Sequence, residues 1–588
     1  MKSFKDIYKG CENKIAGIAA APGIVIGEVY LFTKEKLEIS NADITDVEEA
    51  KINLHEALTR SKKELTKVFA IAKDRMGDTR AAIFEAQLMI LDDPILIGNI
   101  IKRIEDEKKQ PEYIVDDEIS KYQQMMILSN ESYMKERAND IEDIKNRIVR
   151  NLRKKRWQSR IQSEAVIVSD SLTPADTLLL SRNKVKSFVT DHGGLTSHAA
   201  IISRSLNIPA VSGTHNATKK LKEGQTVIVD GFHGYIIYDP TDEQISFFEE
   251  KHQHLVTLQK ELEELTDKPA ITKDGKEIQI LANVDVTGEM DLVKTSGANG
   301  IGLYRSEQIL DELGTIPTED EQVTIYSRLA SRIYPDNITI RAFDIGGDKF
   351  RLFDYDEPNP FLGLRGIRLL LDNPKLFKEQ IRAVLRSSSN KNVQYMLPMI
   401  STIDEIHRSK KIIQECMDEL LIEKKSFDAE MKVGIMIEVP SAAVMTKEFA
   451  DEVDFLSIGT NDLIQYLMAV DRGNDLVADL YQEFSPVVLR TIKKIVDDAK
   501  LAGKPVSLCG EMAADTLAMP LLVGLGLESL SISPATIPYA KRIIKSFNYK
   551  DAKKMADKCI TVCYEAEIEE TIQKFFEEND ITRTRNII

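Results

Sequence analysis

Apolar positions along the chain change their spacing three times. From Ile15 to Phe32 they run almost unbroken, IAGIAAAPGIVIGEVYLF, interrupted by Pro22-Gly23. This predicts two β-strands around a Pro-Gly turn. From about Ala42 to Arg156 glycine is scarce and apolar residues step by three and four. Ile83, Phe84, Gln87, Leu88 and Leu91 mark one such face, which predicts helix. Strand-like runs return at Ala165–Val168, Ser187–Thr190 and Thr226–Val229. The pattern predicts a small α/β domain built from residues 1–32 and 157–240. A helical subdomain, 33–156, is inserted into it. The basic run Arg153–Arg156 lies where the two rejoin and reads as a solvated helix face.

Residues 241–268 predict one long linker helix. Leu255, Leu258, Leu262 and Leu265 give it a narrow apolar stripe, and Lys268-Pro269 ends it. Residues 269–588 repeat one plan eight times. The runs IQILAN, GIGLYR, ITIRAFD, VQYMLP, VGIMIE, VDFLSIG, PVSLC and ESLSIS alternate with helical stretches. Eight βα units predict a closed (β/α)₈ TIM barrel, so the whole chain is a multidomain α/β protein.

In such barrels the C-terminal ends of the strands form the functional mouth. Here those ends lead into Arg305, Arg341, Glu438, Asn461-Asp462 and Cys509, with Arg365, Arg368 and Arg472 in nearby loops. Guanidinium forks grip carboxylate and phosphate. Glu438 and Asp462 suit a Mg²⁺ ion completed by ligand oxygens and water, or else a buried ion-pair network with the arginines. Metal and arginines together predict a small, strongly anionic ligand. Cys509, beside those cations, is a candidate for proton exchange near neutral pH.

DHGGLTSHAAIISR, Asp191 to Arg204, places His198 between a glycine turn and an apolar run. Thr196 and Ser197 are both cap candidates for a helix starting there. At a helix N-terminus the dipole disfavours imidazolium, and a negatively charged group on the ring would meet free N–H donors. The placement suits a histidine that takes and releases a phosphoryl group.

Bulk composition narrows the classes. The 588 residues carry a net charge of −16, which argues against nucleic acid as partner. Cys11, Cys416, Cys509, Cys559 and Cys563 form no CxxC pair, pointing to a reducing, cytoplasmic setting. No apolar run approaches a membrane span.

GGLTSHAAIISR and DFLSIGTNDLIQYLMAVDR resemble the phosphohistidine and metal-site motifs of the phosphoenolpyruvate-utilising enzymes. GIGLYRSE, IRAFDIGGDK, NPFLGLRGIR, GIMIEVPSA and CGEMAAD follow as further family blocks in the expected order. The likeness is to the Enzyme I branch, the phosphoenolpyruvate–protein phosphotransferases of sugar uptake. It implies that His198 is phosphorylated and that Thr177 orients its ring. It implies that Arg305, Arg341, Arg472 and Asn461 bind phosphoenolpyruvate, with Arg365 near the same site. Glu438 and Asp462 would hold Mg²⁺, and Cys509 would protonate enolpyruvate. The helical insert would dock the carrier protein HPr, and the barrel would form a homodimer. A rigid-body movement about the linker helix would bring the histidine to the metal. A regulatory paralogue without a transport role is the alternative. Two departures stand out. Leu195 occupies the position of a family arginine, which predicts a changed phosphohistidine lifetime or docking. Gln87 replaces a family histidine in the helical subdomain.

Overall fold

In a computed structural model of the chain, the structure describes residues 8, 11–33, 39–76, 78–127, 132–154, 164–182, 185–195, 197–285, 287–346, 357, 359–474 and 476–581. Two compact units, Met1–Val256 and Thr257–Ile588, divide inside the helix Asp242–Leu265.

The first unit is built on an eight-stranded sheet. Its strands are β1 (Lys14–Ala16), β2 (Ile18–Ala21), β3 (Ile24–Leu31), β4 (Val166–Ser169), β5 (Ser187–Thr190), β6 (Ala210–Ser212), β7 (Thr226–Asp230) and β8 (Tyr235–Tyr238), ordered β1-β8-β7-β3-β4-β5-β6-β2. The expected strand–turn–strand at 15–32 is therefore three strands. β1 pairs with β8 and β2 with β6, so the chain changes partners at Gly17. A Cβ there would sit 2.7 Å from both the Ser212 carbonyl oxygen and a Val211 methyl. Only glycine allows that crossing.

β3, β4, β5 and β6 run parallel. Helices Pro174–Ser181 and His198–Ser205 form the crossovers β4–β5 and β5–β6. Thr173 starts the first with a reciprocal capping box to Asp176. Five helices, Val47–Met76, Asp78–Leu91, Pro94–Glu107, Pro111–Ile127 and Ser132–Leu152, stand between β3 and β4. They enclose their own core, including Leu54, Leu65, Phe84, Ile104, Ile114 and Ile148. Gln87 is buried with Phe84, on the predicted face. The side chain of Ile83, and Lys155 and Arg156 of the basic run, lie outside the described residues.

The second unit is the eight-fold repeat closed into a barrel. β10 (Glu277–Val284), β11 (Ile301–Arg305), β12 (Ile338–Arg341), β13 (Val393–Leu397), β14 (Val433–Ile437), β15 (Leu456–Ile458), β16 (Val506–Leu508) and β17 (Ser529–Ile532) pair in sequence and in parallel. β10 bonds to both β11 and β17, which closes the ring. A short β9 (Ala270–Ile271) adds to β10 antiparallel. Buried on both faces, these strands read as continuous apolar runs, which is why all eight were visible in sequence. Among the described residues no helix is long and apolar enough to cross a membrane.

One buried amide ties the outer helices to the mouth. Gln380, in helix Pro374–Ser387, is fully buried. Its Oε1 accepts from Phe343 N–H (3.0 Å) and Tyr395 OH (3.2 Å). Its Nε2 donates to Ser306 Oγ (2.8 Å), and that hydroxyl donates to the Arg341 carbonyl (2.6 Å). The network locks β11, β12 and β13 where Arg305 and Arg341 leave the barrel. Gln380→Leu strands several buried partners at once. We expect it to cost about 2–4 kcal/mol in denaturant unfolding; a loss below about 0.5 kcal/mol would show that the network is incidental.

Candidate active site at the barrel mouth

The strand ends deliver seven of the expected residues to one cavity of about 190 Å³: Arg305, Arg341, Glu438, Asn461, Asp462, Arg472 and Cys509. Leu303, Glu307, Gln308, Met436, Gly459, Gly510 and Glu511 complete its lining. Gly510 is required by crowding, since a Cβ would lie 1.7 Å from Thr460 Oγ1.

Arg305, Arg341 and Asn461 are held by their side chains. Arg305 Nη1 donates to both oxygens of Asp285 at 2.9 Å. Arg341 is 5% exposed and pairs with Glu307 and, at 3.3 Å, with Asp344. Its Nε has no partner and Nη1 reaches only Met436 Sδ at 3.8 Å, so donor capacity remains. Asn461 is fixed between two strand ends by Glu511. Its Nδ2 donates to Glu511 Oε1 (3.0 Å) and its Oδ1 accepts from Glu511 N–H (2.8 Å). Arg472 lies on the exposed rim, and its backbone N–H donates to Gln465 Oε1 at 3.1 Å.

Arg365 is placed differently from the expectation. It does not line the cavity but lies behind it, 1% exposed. Nε and Nη2 donate to the two oxygens of Asp344 (2.9 and 3.0 Å), and Nη1 and Nη2 to those of Asp462 (3.1 and 2.9 Å). Its planar fork is consumed by two carboxylates, leaving no free edge for a ligand. The expected metal pair and the ion-pair network are thus both present, sharing Asp462.

Glu438 is buried close to Asp462 and Asp344, with Arg341 and Arg365 as the cations beside it. Burial first, then Asp462 and Asp344, push its carboxyl up to about 8. Its one recorded hydrogen bond, from Met399 N–H at 2.6 Å, does not offset this. Cys509 is shifted in the same direction. Burial pushes its thiol up, outweighing Ser457, Arg341 and Arg305, so at neutral pH it is S–H and not thiolate.

In the first unit His198 opens the helix His198–Ser205, and Ser197 is the N-cap, its hydroxyl accepting from Ala200 N–H at 3.3 Å. The other cap candidate, Thr196, and the His198 ring lie outside what the structure describes. Asp191 anchors the preceding turn through Thr214 Oγ1 (2.7 Å) and Ala217 N–H (2.6 Å). Thr177 is fully buried, its hydroxyl donating to the Thr173 carbonyl at 2.9 Å. Leu195 is 55% exposed, and its carbonyl accepts from Arg204 Nη2 at 2.7 Å. Sequence reading passed over Glu307, Asp344 and Glu511. Each follows a strand end inside a quoted block, RSE, AFD and CGE, and that position was the available signal.

Three family descriptions match the chain in order. They are "PEP-utilising enzyme, N-terminal" (residues 16–137), "PEP-utilising enzyme, mobile domain" (161–234) and "PEP-utilising enzyme, PEP-binding domain" (259–549). The phosphoenolpyruvate-protein phosphotransferase of Staphylococcus carnosus (strain TM300) is 38% identical over 96% of this chain and 99% of its own length. That of Bacillus subtilis (strain 168) is 38% identical over 96% of this chain and 100% of its own. The chain belongs to the phosphoenolpyruvate–protein phosphotransferase family. An NMR solution structure of Enzyme I (nEIt) is 38% identical, spanning 41% of this chain and 99% of its own, at a TM-score of 0.37.

Membership in this phosphotransferase family implies a metal-dependent enzyme. Among the described residues no group of three or more His, Cys, Asp or Glu could by itself hold a metal ion. Glu438 and Asp462 nevertheless fit one. They line the cavity, and the repulsion from Asp462 that helps raise the Glu438 carboxyl is what a divalent cation between them would relieve. Without the ion, Glu438 takes up a proton on folding, because its folded value of about 8 exceeds the ordinary 4.5. The folded state then holds more protons than the unfolded one, so this stabilisation is complete at low pH and is lost as pH rises through about 8. Metal-free Glu438→Gln should therefore lose less Tm than the parent, by several degrees, between about pH 5 and pH 9. Parallel Tm–pH curves would contradict the charge assignment.

Proposed function

We propose that the chain takes the phosphoryl group of phosphoenolpyruvate onto His198 and passes it to the histidine of HPr, releasing pyruvate. The observation that carries this reading is one anion-sized cavity with three arginines, two acidic metal-ligand candidates and a protonated thiol on its wall. Arg305, Arg341 and Arg472 offer donors to the phosphate and carboxylate of the substrate, and Asn461 adds a neutral one. Arg341 is the strongest anchor, being buried yet retaining unpaired N–H groups. Glu438 and Asp462 would hold Mg²⁺, which when bound supplies charge neutralisation for the transferring phosphoryl group. Arg365 acts one step back, fixing Asp462 and Asp344.

Phosphoryl transfer needs mainly alignment and charge neutralisation, so a rigid wall of forks and amides suits it. His198 opens its helix, and at such an N-terminus the dipole disfavours imidazolium while free N–H groups favour an anion. Thr177 is assigned the orienting role by the family resemblance. Loss of the phosphoryl group leaves enolpyruvate, whose carbon takes a proton from the Cys509 thiol. The covalent intermediate predicts ping-pong kinetics. The helical subdomain is the assigned HPr dock and the barrel the assigned homodimer contact, in a cytoplasmic protein.

The test mixes the full chain with phosphoenolpyruvate, Mg²⁺ and HPr, without ATP. HPr should become phosphorylated, with His198 as the labelled intermediate. His198→Ala should fall to background, and Arg341→Ala should lose roughly 10²–10³-fold in turnover. Phosphorylation that persists in His198→Ala would overturn the assignment.

A further inference from the structure

Of the three arginines on the mouth, one is aimed by no carboxylate. Arg305 is clamped by Asp285, and Arg341 by Glu307 and Asp344. Arg472 is exposed, and among the described residues no acidic side chain pairs with its guanidinium. Where that guanidinium stands therefore depends on where its backbone is held. The helix Thr460–Met468 ends at Ala469, which adopts the left-handed conformation (φ 53°) without being glycine. The N–H groups that follow converge on one residue. Those of Ala469 and, at 3.0 Å, Val470 donate to the Gln465 carbonyl, and that of Arg472 donates to Gln465 Oε1 at 3.1 Å. Gln465 is 3% exposed, and its Nε2 is buried without a partner among the described residues. A buried donor left unpaired costs stability, and an apolar side chain of that size would avoid the cost. What the amide supplies that such a side chain cannot is the acceptor for Arg472.

Gln465 stands one helical turn after Asn461 and Asp462, on the same face of the helix. It does not itself line the mouth cavity. We propose that Gln465 is a positioning residue that ties Arg472 to the helix carrying Asp462, so that the rim cation and the metal-ligand candidate are set by one element. The inference rests on the reading of Arg472 as a phosphoenolpyruvate-binding residue. The bond holds the root of Arg472 and leaves its side chain in solvent, so a cation at the rim keeps its place without a carboxylate to neutralise it. A carboxylate clamp there would compete with the anionic substrate for the same fork. Gln465 acts only through the backbone of residue 472. Its acceptor therefore matters to turnover only when an arginine stands at that position.

Full-length protein with saturating HPr separates the possibilities. Gln465→Met keeps the bulk of the side chain and removes the acceptor. It should lower kcat/KM for phosphoenolpyruvate by about fivefold, the scale of one net hydrogen bond, while kcat changes less than about twofold. Arg472→Ala should lower kcat/KM by about tenfold or more. In the Arg472→Ala background Gln465→Met should add less than about twofold, because the group it positions is gone. Hydrogen exchange in the parent needs no variant: the amides of Ala469, Val470 and Arg472 should exchange at least about tenfold slower than in an unfolded peptide. An equal loss from Gln465→Met in both backgrounds would overturn the proposal, as would parent amides that exchange at the unfolded rate. If Arg472→Ala matches the parent, the substrate reading of Arg472 fails and the positioning role with it. If Arg472→Ala is impaired while Gln465→Met matches the parent, the positioning role alone fails.

Discussion

The barrel mouth depends on a buried guanidinium shared by two carboxylates. Arg365 is 1% exposed and spends its fork on Asp344 and Asp462. A charge so deep is tolerable only because the fork is paired on two sides, and removing either partner would leave buried N–H groups unsatisfied. The same bonds fix the direction of Asp462, which follows β15 and lines the cavity. Pairing on one side creates deficit on the other. Glu438 has Arg341 and Arg365 as the nearby cations, but both are already engaged by Asp344, and it relieves the excess by holding a proton. A pair of repelling carboxyl groups walled by arginines discriminates well. A metal alone or an anion alone corrects only part of the imbalance, whereas the two together correct both.

The rim residues act on that foundation at graded depth. Arg341 is buried and rigid, Arg305 is half-buried and clamped by Asp285, and Arg472 is exposed. A ligand entering from solvent would meet the exposed cation first and the buried one last. The glycines serve the same economy of space. Gly510 lets the β16 loop press against Thr460, and a Cβ at Gly459 would come within 3.0 Å of Glu438 Oε2. Close backbone packing of this kind keeps the carboxylates still without adding atoms to the cavity.

Much of this was readable from the chain. Parallel barrel strands are apolar on both faces, so eight short runs stood out from their helices, and the polar residue ending each run marked the mouth. What sequence left hidden depended on contacts between distant segments. Arg365 sits in a loop like any other and becomes a buried brace only because Asp344 and Asp462 converge on it, 21 and 97 residues away. The split at Gly17 was invisible because one apolar run feeds two different pairings. The protonation state of Cys509 was hidden for a related reason. Its cationic neighbours could be inferred, but the apolar packing of Leu303, Met396, Met436 and Phe455 that outweighs them could not.

The central claim is that the buried, mutually repelling carboxyl groups of Glu438 and Asp462 make the mouth a site for one divalent cation. The direct measurement is titration with Mn²⁺, followed by the loss of free-ion paramagnetic resonance, in the presence of phosphoenolpyruvate and with transfer blocked by His198→Ala. The account predicts one site per chain, weakened about tenfold or more in both Glu438→Gln and Asp462→Asn. Equal Mn²⁺ affinity in the parent and both variants would contradict it.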